Sequence, residues 1–383
     1  MVNTNKHLFI KEEQQGFVEI LKQILDKELK PRVRELDERE EFPMDVFQKL
    51  YEAGFFGMEL PEEYGGLGID NETSFILNEE IAWYDPGFAF SFHVASAVSK
   101  VIFRAGPDEL KRNVADMILA GKIGAMCITE AEAGSDAGAT RTTAVRNGNE
   151  YVLNGVKTFI SNGSIADYFI VVATVDRNLK HKGITLFFVE RCCDGVKVGK
   201  KEDKMGLRLS ETNEVIFEDV RIPVSNRIDE EGRGFKHIMQ DMEEVRPMAM
   251  TYALGLAQRA LDEAVAYAKV RKTFGQPIIN YQGLSFMMAD MQMKIHMARA
   301  ALASIARAMD RGISTEGYSA SSKIFVSDIA MQVAVDAVQV LGGYGYMKDY
   351  PVEKLMRDAK IFQIFEGTNQ IQQLVLSRLL SAE

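Results

Sequence analysis

The first third of the chain repeats apolar residues at the three- and four-residue spacing of an amphipathic helix. In FVEILKQILDKELKPRVREL, residues 17–36, leucine, isoleucine and valine recur at that spacing among glutamate and lysine, and strong helix formers dominate. Pro43, Pro61 and the pair Gly65-Gly66 interrupt the pattern, and residues of this kind end helices. Residues 10–120 are therefore predicted to form several helices.

Between residues 122 and 230 the pattern changes to short runs of β-branched and aromatic residues. Three of these runs have the length and composition of a strand: YFIVVATV, GITLFFVE and NEVIFEDVRIP. Three Asn-Gly pairs, a combination typical of tight hairpin turns, lie in the same region: Asn147-Gly148, Asn154-Gly155 and Asn162-Gly163. The segment is predicted to be a β domain, built as a barrel or as two packed sheets.

After Gly232 the helical spacing returns and continues to the end of the chain. Residues 250–272 predict one long helix, and SSKIFVSDIAMQVAVDAVQVL, residues 321–341, is apolar on almost every face. A helix of that composition is predicted to be buried, and the pair Gly342-Gly343 is predicted to end it.

The order of helices, strands and helices predicts an α+β fold with three parts. These are an N-terminal helical domain over residues 1–121, a middle β domain over 122–230 and a C-terminal helical domain over 231–383. Because helices and strands are segregated and do not alternate, the pattern argues against a βαβ nucleotide-binding fold.

The overall charge argues against nucleic acid as a partner. The formal net charge is -10, so the chain has no basic field that attracts a phosphate backbone. An anionic ligand such as a coenzyme A ester needs a local site lined by cations or backbone amides. The three cysteines have neither metal-ligand nor CxxC spacing, and no metal site is predicted.

No membrane span is predicted. The longest stretch without charge lies between Asp85 and Lys100, and it is too short to cross a bilayer as a helix. The N-terminal residues lack an apolar core followed by a small-residue cleavage site, and they are too acidic for a transit peptide. A cytoplasmic location is predicted, or the mitochondrial matrix for a processed organellar protein.

Four short segments have residues suited to a flat or phosphorylated ligand: CITEAEAGSD, FISNG, RKTFGQP and QVLGGYGY. Small residues and hydroxyls let backbone amides approach such a ligand, and Phe159 and Ser161, two residues apart on a strand, are predicted to share a face. Each segment also has a structural interpretation, as a surface loop, a strand end, a cationic helix end or a glycine-rich helix end. The last segment is not a GxGxxG after a strand, so the dinucleotide fingerprint does not apply.

Glu366 is a single carboxylate in the otherwise uncharged segment IFQIFEGTNQ. Two interpretations are open: a solvated glutamate at a helix end, or a base held in an apolar site. A carboxylate with apolar neighbours has a raised pKa, which moves it towards the working range of a general base.

Taken together and in order, six blocks resemble the acyl-CoA dehydrogenase family and cover essentially the whole chain. They are ELPEEYGGLG, ITEAEAGSD, YVLNGVKTFISNG, DKMGLRLSETNEVIFEDVRIP, GLAQRALDEAVAYAKVRKTFGQPI and AVQVLGGYGYMKDYPVEKLMRDAKIFQIFEGTNQIQ. The resemblance is greatest to the short- and medium-chain members. It implies a helical domain, a middle β domain and a C-terminal four-helix domain, assembled as a homotetramer with non-covalent FAD.

The resemblance also implies a reaction. Glu366 matches the family's catalytic base, so it is expected to take the α proton of an acyl-CoA while hydride leaves the β carbon for flavin N5, giving the trans-2-enoyl-CoA. The family stabilises the thioester oxygen with the backbone N–H of that glutamate and a ribityl hydroxyl. Some relatives carry the base one residue before the arginine of MEEVRP, where this chain has Val245. Electrons are expected to pass to an electron-transfer flavoprotein.

The resemblance assigns further residues to an FAD site shared between subunits. The expected FAD contacts are Met126, Ile128, Thr129, Gly134, Ser135, Phe159, Ser161, Arg271, Thr273, Phe274, Gln282, Gln339, Gly342, Gly343, Thr368 and Gln370. Arg271, Phe274 and Gln282 are expected to reach the FAD of a neighbouring subunit. The chain departs from the family at Phe159, where tryptophan is frequent, and at Glu132, where proline is usual.

The expected contacts with acyl-CoA are Ser135, Glu243, Arg246, Gly367, Phe92 and His93. The bulky residues of DPGFAFSFHVAS favour a short, branched or cyclic acyl group, and ordinary helix packing is the alternative explanation for them. Within the same fold, the reverse reaction, reduction of an enoyl-CoA with the same carrier, is the second hypothesis. A catalytically idle flavin- or CoA-binding subunit is a third, against which the presence of Glu366 argues.

Overall fold

The computed structural model describes residues 10–382, and the first of these residues form seven helices. They are α1 (Glu12–Glu28), α2 (Val33–Arg39), α3 (Met44–Glu52), α4 (Asn71–Tyr84), α5 (Pro86–Ala97), α6 (Lys100–Ala105) and α7 (Asp108–Leu119). Aspartates cap the N-termini of the two most buried helices, α4 and α5. The Asp70 side chain accepts a hydrogen bond from the backbone of Thr73 in α4, and the Asp85 side chain accepts one from the backbone of Phe88 in α5. Such N-caps satisfy backbone donors that a helix start leaves without partners.

The middle part is an eight-stranded sheet. Its strands are β1 (Gly124–Cys127), β2 (Thr143–Asn147), β3 (Glu150–Ser161), β4 (Tyr168–Thr174), β5 (Ile184–Glu190), β6 (Val196–Lys201), β7 (Thr212–Pro223) and β8 (Arg227–Ile228). The strand order is β6-β7-β3-β2-β4-β5-β8, with β1 beside β4. Since β2 meets β4 only at Thr143 and Thr174 in the described chain, the strands form two groups. The two-sheet alternative of the prediction is therefore closer to the structure than a closed barrel.

The Asn-Gly pairs have three different outcomes. Gly148, at a φ of 61°, lies in the tight loop between β2 and β3, so the hairpin predicted there is confirmed. The pair at Asn154 lies inside β3, where the register with β7 shifts between Leu153 and Gly155. That prediction was wrong because a β-bulge uses the same residue types as a turn.

The third pair, Asn162-Gly163, ends β3 without making a hairpin. Asn162 has a φ of 64°, and the chain crosses from there to β4, which is not a neighbour of β3 in the sheet. The Asn162 side chain accepts a hydrogen bond from Ser91 at 2.7 Å. The left-handed turn thus joins the sheet to α5.

The C-terminal part is helical, with a small hairpin after its first helix. Its elements are α8 (Gly234–Val270), β9 (Lys272–Thr273), β10 (Gln276–Pro277), α9 (Gln282–Met309), α10 (Glu316–Leu341), α11 (Val352–Ala359) and α12 (Asn369–Ala382). Helix α8 packs against both α4 and α10. Gly255 permits this approach, because a Cβ there would lie 2.3 Å from the carbonyl oxygen of Glu79. Gly342 ends α10 at a φ of 60°, as predicted.

The prediction that the helix over residues 321–341 is buried holds for most of α10 but not for one side of it in the isolated chain. Phe325 and Val335 are 46% and 42% exposed in the isolated chain. Two helical stretches of the described chain, 86–105 and 316–346, are long and apolar enough to cross a membrane by length and composition alone. Of the 18-residue apolar window in each, 61% and 50% is buried inside the protein. Because buried core helices of soluble proteins pass the same test, this composition is weak evidence for a membrane span.

Candidate active site

Glu366 lies in a short connection between a 3-10 turn, Lys360–Gln363, and helix α12. Glu366 has a φ of 54° and Gly367 a φ of 82°. A glutamate in the left-handed region is uncommon and persists only where its surroundings hold it. Gln372 of α12 does so, because its side-chain amide donates to the carbonyl oxygens of Gly367 at 2.9 Å and Glu366 at 3.4 Å.

Gly367 is required for this geometry. A Cβ at this position would lie 2.6 Å from the side-chain nitrogen of Gln372, so any larger residue pushes away the group that holds the turn. The hydroxyl of Thr368 accepts a hydrogen bond from the backbone of Ile371 at 3.3 Å and begins α12. Gly367, one of the expected acyl-CoA contacts, thus also has a structural reason to be glycine.

Two cations act on the charge of the Glu366 carboxylate, and its neighbour Phe365 packs against an aromatic ring of α5. Burial raises the pKa of Glu366, and the charges of Arg246 and Lys323 oppose that rise. Arg246 is only 7% exposed, and its Nε has no hydrogen-bond partner among the described residues. The side chain of Phe365 packs against Phe90 with 5.1 Å between ring centroids. This environment suits a carboxylate that takes a proton from carbon, because a raised pKa makes the ionised form a stronger base.

Lys323 is a site residue that the sequence reasoning missed. Its side chain is fully buried, its Nζ donates to Asn369 Oδ1 at 2.8 Å, and burial lowers its pKa to about 8. Glu366 is a charged group that favours its protonated form. The available signal was a lysine inside the apolar helical run SSKIFVSD, where a solvated cation is not expected.

The predicted flavin residues of the β domain meet at a bulge in β3. Phe159 has a φ of 58° and is 63% exposed, and the register with β7 shifts between Lys157 and Ile160. The neighbouring backbone N–H of Thr158 donates to the carbonyl of Thr129 at 2.9 Å. Phe159 and Ser161 both avoid the buried side, but the bulge causes this, and the regular alternation assumed from the sequence was wrong.

The loop after β1 is closed by its own contacts. Glu130 and Ala133 exchange backbone hydrogen bonds of 3.2 and 3.1 Å, and the exposed Glu132, in the position where proline was expected, forms an ion pair with Arg141. Gly134 has open space around the position of a Cβ. Met126 and Ile128 are half-buried below this loop, whereas Ser135 is exposed.

A second group of predicted flavin residues lines a cleft of about 520 Å³ in the C-terminal domain. Arg271, Thr273, Gly342 and Gly343 are all on its walls. Phe274 is 98% exposed at the tip of the β9–β10 hairpin. Outside the cleft lining, Gln282 starts α9, Gln339 is exposed in the last turn of α10, and Gln370 is exposed in the first turn of α12.

These surfaces fit the parts of FAD. An exposed aromatic ring at Phe159 can cover a flat heterocycle, and the open space beside Gly134, Gly342 and Gly343 lets a phosphate group approach the backbone there. The cation of Arg271 lies in the same cleft as two of those glycines. The β-domain surface and the cleft are separate groups of residues in one chain, and a cofactor shared between subunits stays a prediction.

The predicted acyl-CoA residues are not all together. Phe92 is buried among Phe47, Phe56 and Phe88, with ring centroids 5.5 to 5.9 Å apart, and so belongs to the N-terminal core. Phe90, two residues earlier on α5, is the aromatic residue that contacts Phe365. Helical residues two apart project in different directions. The sequence does not show which of the two directions faces Phe365 and which faces the core.

Glu243 has partners within the protein. Its carboxylate accepts hydrogen bonds from the Ser314 hydroxyl at 2.8 Å and from the Thr315 backbone at 2.5 Å, at the start of α10. A negative charge there favours the helix N-terminus. The predicted contact of Glu243 with coenzyme A remains a prediction.

Family models for three successive domains match the chain. The N-terminal domain of acyl-CoA dehydrogenases matches residues 11–122, the middle domain 125–220 and the C-terminal domain 232–380. The chain belongs to the acyl-CoA dehydrogenase family. It is accordingly a flavoprotein oxidoreductase that acts on acyl-CoA and uses FAD, and the α+β architecture with helical, β and helical domains is confirmed.

Individual relatives match this chain over nearly its whole length. It is 42% identical over 362 residues to the probable acyl-CoA dehydrogenase FadE25 of Mycobacterium tuberculosis, covering 94% of this chain and 93% of the relative. It is 40% identical over 367 residues to the short-chain specific acyl-CoA dehydrogenase of Clostridium acetobutylicum, covering 95% and 97%.

Two solved structures are similar to this chain over nearly its whole length. Butyryl-CoA dehydrogenase of Megasphaera elsdenii superimposes with a TM-score of 0.95 at 38% identity, over 98% of this chain and 100% of that one. A chain solved in work on the electron transferring flavoprotein of Acidaminococcus fermentans and flavin-based electron bifurcation gives a TM-score of 0.95 at 41% identity, with the same coverage.

Proposed function

We propose that this enzyme dehydrogenates a short-chain, branched or cyclic acyl-CoA at the α and β carbons, with Glu366 as the base. The observation that carries the proposal is the partly buried Glu366 carboxylate, which feels the charges of Arg246 and Lys323 and follows Phe365, whose ring packs against Phe90. The names of two similar proteins, a short-chain specific dehydrogenase and a butyryl-CoA dehydrogenase, support the short acyl group.

In this proposal the protein has three tasks. The Glu366 carboxylate takes the α proton, and the cations Arg246 and Lys323 favour its ionised form against the effect of burial. None of the described residues accepts a hydrogen bond from the backbone N–H of Glu366, so that donor is available to the thioester oxygen as negative charge develops there. The aromatic rings exclude water from the acyl group. Bound FAD supplies the acceptor for the hydride that leaves the β carbon.

We also propose that electrons leave to an electron-transfer flavoprotein and that the enzyme is a homotetramer. The Acidaminococcus structure supports the first point. For the second, exposed apolar side chains follow one side of α9 and α10: Phe286, Met293, Met297, Phe325 and Val335. Such a surface is unusual on a monomer. Light scattering of the purified protein at several concentrations tests it, and a stable monomer contradicts it.

Anaerobic bleaching of the bound flavin tests the reaction. The purified enzyme is mixed with straight-chain, branched and cyclic acyl-CoAs, and rapid bleaching by one class identifies the substrate. Glu366→Gln keeps the side-chain shape and is expected to bind the ester without bleaching. Glu218→Gln, a change of a 59% exposed carboxylate, is the matched control.

The direction of the reaction is tested with the same preparation. The reverse reaction, reduction of an enoyl-CoA, uses the same groups because protonated Glu366 returns the proton to the α carbon. Failure of every saturated ester to bleach bound FAD contradicts dehydrogenation. Oxidation of the pre-reduced enzyme by an enoyl-CoA then identifies the reverse reaction.

A further inference from the structure

A continuous line of contacts leads from the Glu366 loop to a polar cluster inside the N-terminal domain. Phe365 packs against Phe90 at 5.1 Å, and Phe90 packs edge-on against Tyr252 at 5.9 Å between ring centroids. The Tyr252 hydroxyl lies 2.7 Å from Nδ1 of His93. Tyr252 is almost fully buried, and among the charges that raise its pKa is that of Glu366. The phenol therefore lies within electrostatic reach of the base.

His93 is held from its other side by Glu59. Its Nε2 lies 3.1 Å from Glu59 Oε1, and the second carboxylate oxygen of Glu59 lies 2.8 Å from the ammonium of Lys100. The hydroxyl of Ser74 also donates to Glu59. Burial raises the pKa of Glu59, but Lys100 and His93 hold it well below the usual range, so Glu59 is an ionised acceptor. With both ring nitrogens engaged, the imidazole has one orientation.

A small cavity of about 40 Å³ lies on the side of His93 formed by α4 and the loop before it. Its walls include His93 and Glu59 together with Met58, Leu77 and Asn78. This volume exceeds the roughly 10–15 Å³ that one water needs, and Glu59 and Asn78 offer polar partners. The His93 ring therefore stands as a partition between this cavity and the aromatic residues next to Glu366.

We propose that Glu59 is a positioning residue that sets the longest acyl chain the enzyme accepts, by holding His93 as the closed end of the acyl site. This inference rests on the proposed function. Phe90 and Tyr252 form the side of the site that leads away from Glu366, and a straight acyl chain extending past them meets the tethered imidazole. Neither Glu59 nor His93 touches the reacting carbons, so their effect is on chain length.

The experiment compares butanoyl-, hexanoyl- and octanoyl-CoA on wild-type enzyme and three variants. His93→Ala removes the partition, Glu59→Ala removes the tether, and Glu59→Gln keeps a hydrogen-bond acceptor for His93. Rates of anaerobic flavin reduction give kcat and KM for each ester, and calorimetry gives Kd without any turnover. FAD content and the melting temperature show that each variant is folded.

His93→Ala and Glu59→Ala are expected to raise the preference for hexanoyl over butanoyl about tenfold or more, since one methylene in an apolar pocket is worth roughly 10–200-fold. The gain is expected in KM and Kd, whereas Glu59→Gln keeps the wild-type preference between the two esters. If His93 and Glu59 have only a structural role, the variants lower the rates with all three esters by the same factor.

If folded His93→Ala keeps the wild-type preference between hexanoyl- and butanoyl-CoA, His93 does not close the acyl site. If that preference changes in His93→Ala but not in Glu59→Ala, Glu59 does not hold His93 in place. If no saturated ester bleaches the wild-type flavin, the proposed reaction fails. The Kd series still decides the chain-length limit in that case, because it needs no turnover.

Discussion

The contribution of the buried ion pair next to the bulge at Phe159 can be tested by Lys157→Met. The side chain of Lys157 is 0% exposed, and its ammonium lies 2.7 Å from Glu130 Oε1 and 2.9 Å from the carbonyl oxygen of Ile128. The same carboxylate accepts hydrogen bonds of 2.7 Å from the Arg141 backbone and of 3.0 and 2.6 Å from the backbone and hydroxyl of Thr142. Methionine fills the space of the lysine stem and removes only the charge and its donors.

The expected loss in the free energy of unfolding follows from the Glu130 charge that Lys157→Met leaves buried. Removing one partner of a buried ion pair costs about 3–5 kcal/mol, because the other charge remains buried. Here three donors continue to solvate the Glu130 carboxylate, so the expected loss in the free energy of unfolding is at the lower end, about 3 kcal/mol. That loss changes the unfolding equilibrium by more than roughly a hundredfold.

The assay is denaturant unfolding of the holoenzyme, followed by circular dichroism and by the fluorescence of released FAD. The control is Lys197→Met, whose ammonium pairs with Glu218 at 2.5 Å with both side chains more than half exposed, 58% and 59%. That change is expected to cost less than about 1 kcal/mol. FAD release is expected to shift further than global unfolding, because Lys157 ties the Ile128 segment to the bulge at Phe159.

The pH dependence gives a second readout of the same pair. Burial raises the pKa of Glu130, but Lys157 and the hydrogen bonds hold it below 4.5. The resulting stabilisation is present above the unfolded pKa and is lost as pH falls through the folded pKa. Lys157→Met is expected to reduce this acid-dependent loss. A variant as stable as Lys197→Met, with an unchanged acid profile, would refute the reasoning.

Three further changes test other parts of the structure. Lys354→Met leaves two fully buried aspartates, Asp85 and Asp358, without their cation. The same unfolding assay is expected to show a loss of about 3–5 kcal/mol in the free energy of unfolding. A loss no larger than that caused by replacing a surface lysine contradicts this expectation. If Glu366 is the base, the rate of flavin bleaching is expected to rise with pH as Glu366 ionises. Arg246→Met removes a cation that lowers the Glu366 pKa, so it is expected to move the half-maximal pH upward in stopped-flow measurements. A downward shift argues against that charge assignment. Gly255→Ala places a Cβ 2.3 Å from the carbonyl oxygen of Glu79. It is expected to lower the stability measured by thermal unfolding by about 1–3 kcal/mol. An unchanged melting temperature shows that α4 and α8 can move apart without loss of stability.

The order of the domains could be read from the sequence because it depends on local periodicity. Helical spacing, strand composition and the glycines after α10 act within about ten residues, and the structure has helices, strands and helices where the pattern predicted them. The chemistry of Glu366 was different. Its apolar neighbours permitted two interpretations, and only the resemblance to a family distinguished them.

Predictions failed where a residue's surroundings come from a distant strand or helix. The pair Asn154-Gly155 has the composition of a hairpin turn, but the strand β7, about sixty residues later, pairs across it and makes it a bulge. Phe90 and Phe92 belong to one helical segment of similar composition, and packing sends one towards Glu366 and the other into the core.

The sequence by itself determined which segments become helix or strand and placed a carboxylate among apolar residues, because backbone preference and hydrophobic spacing are local properties. The tertiary structure alone decided what that carboxylate meets. Arg246 and Lys323 come from α8 and α10, and Gln372 holds the loop from α12. Burial and charge act through space, so the pKa of Glu366 depends on contacts that no local pattern encodes.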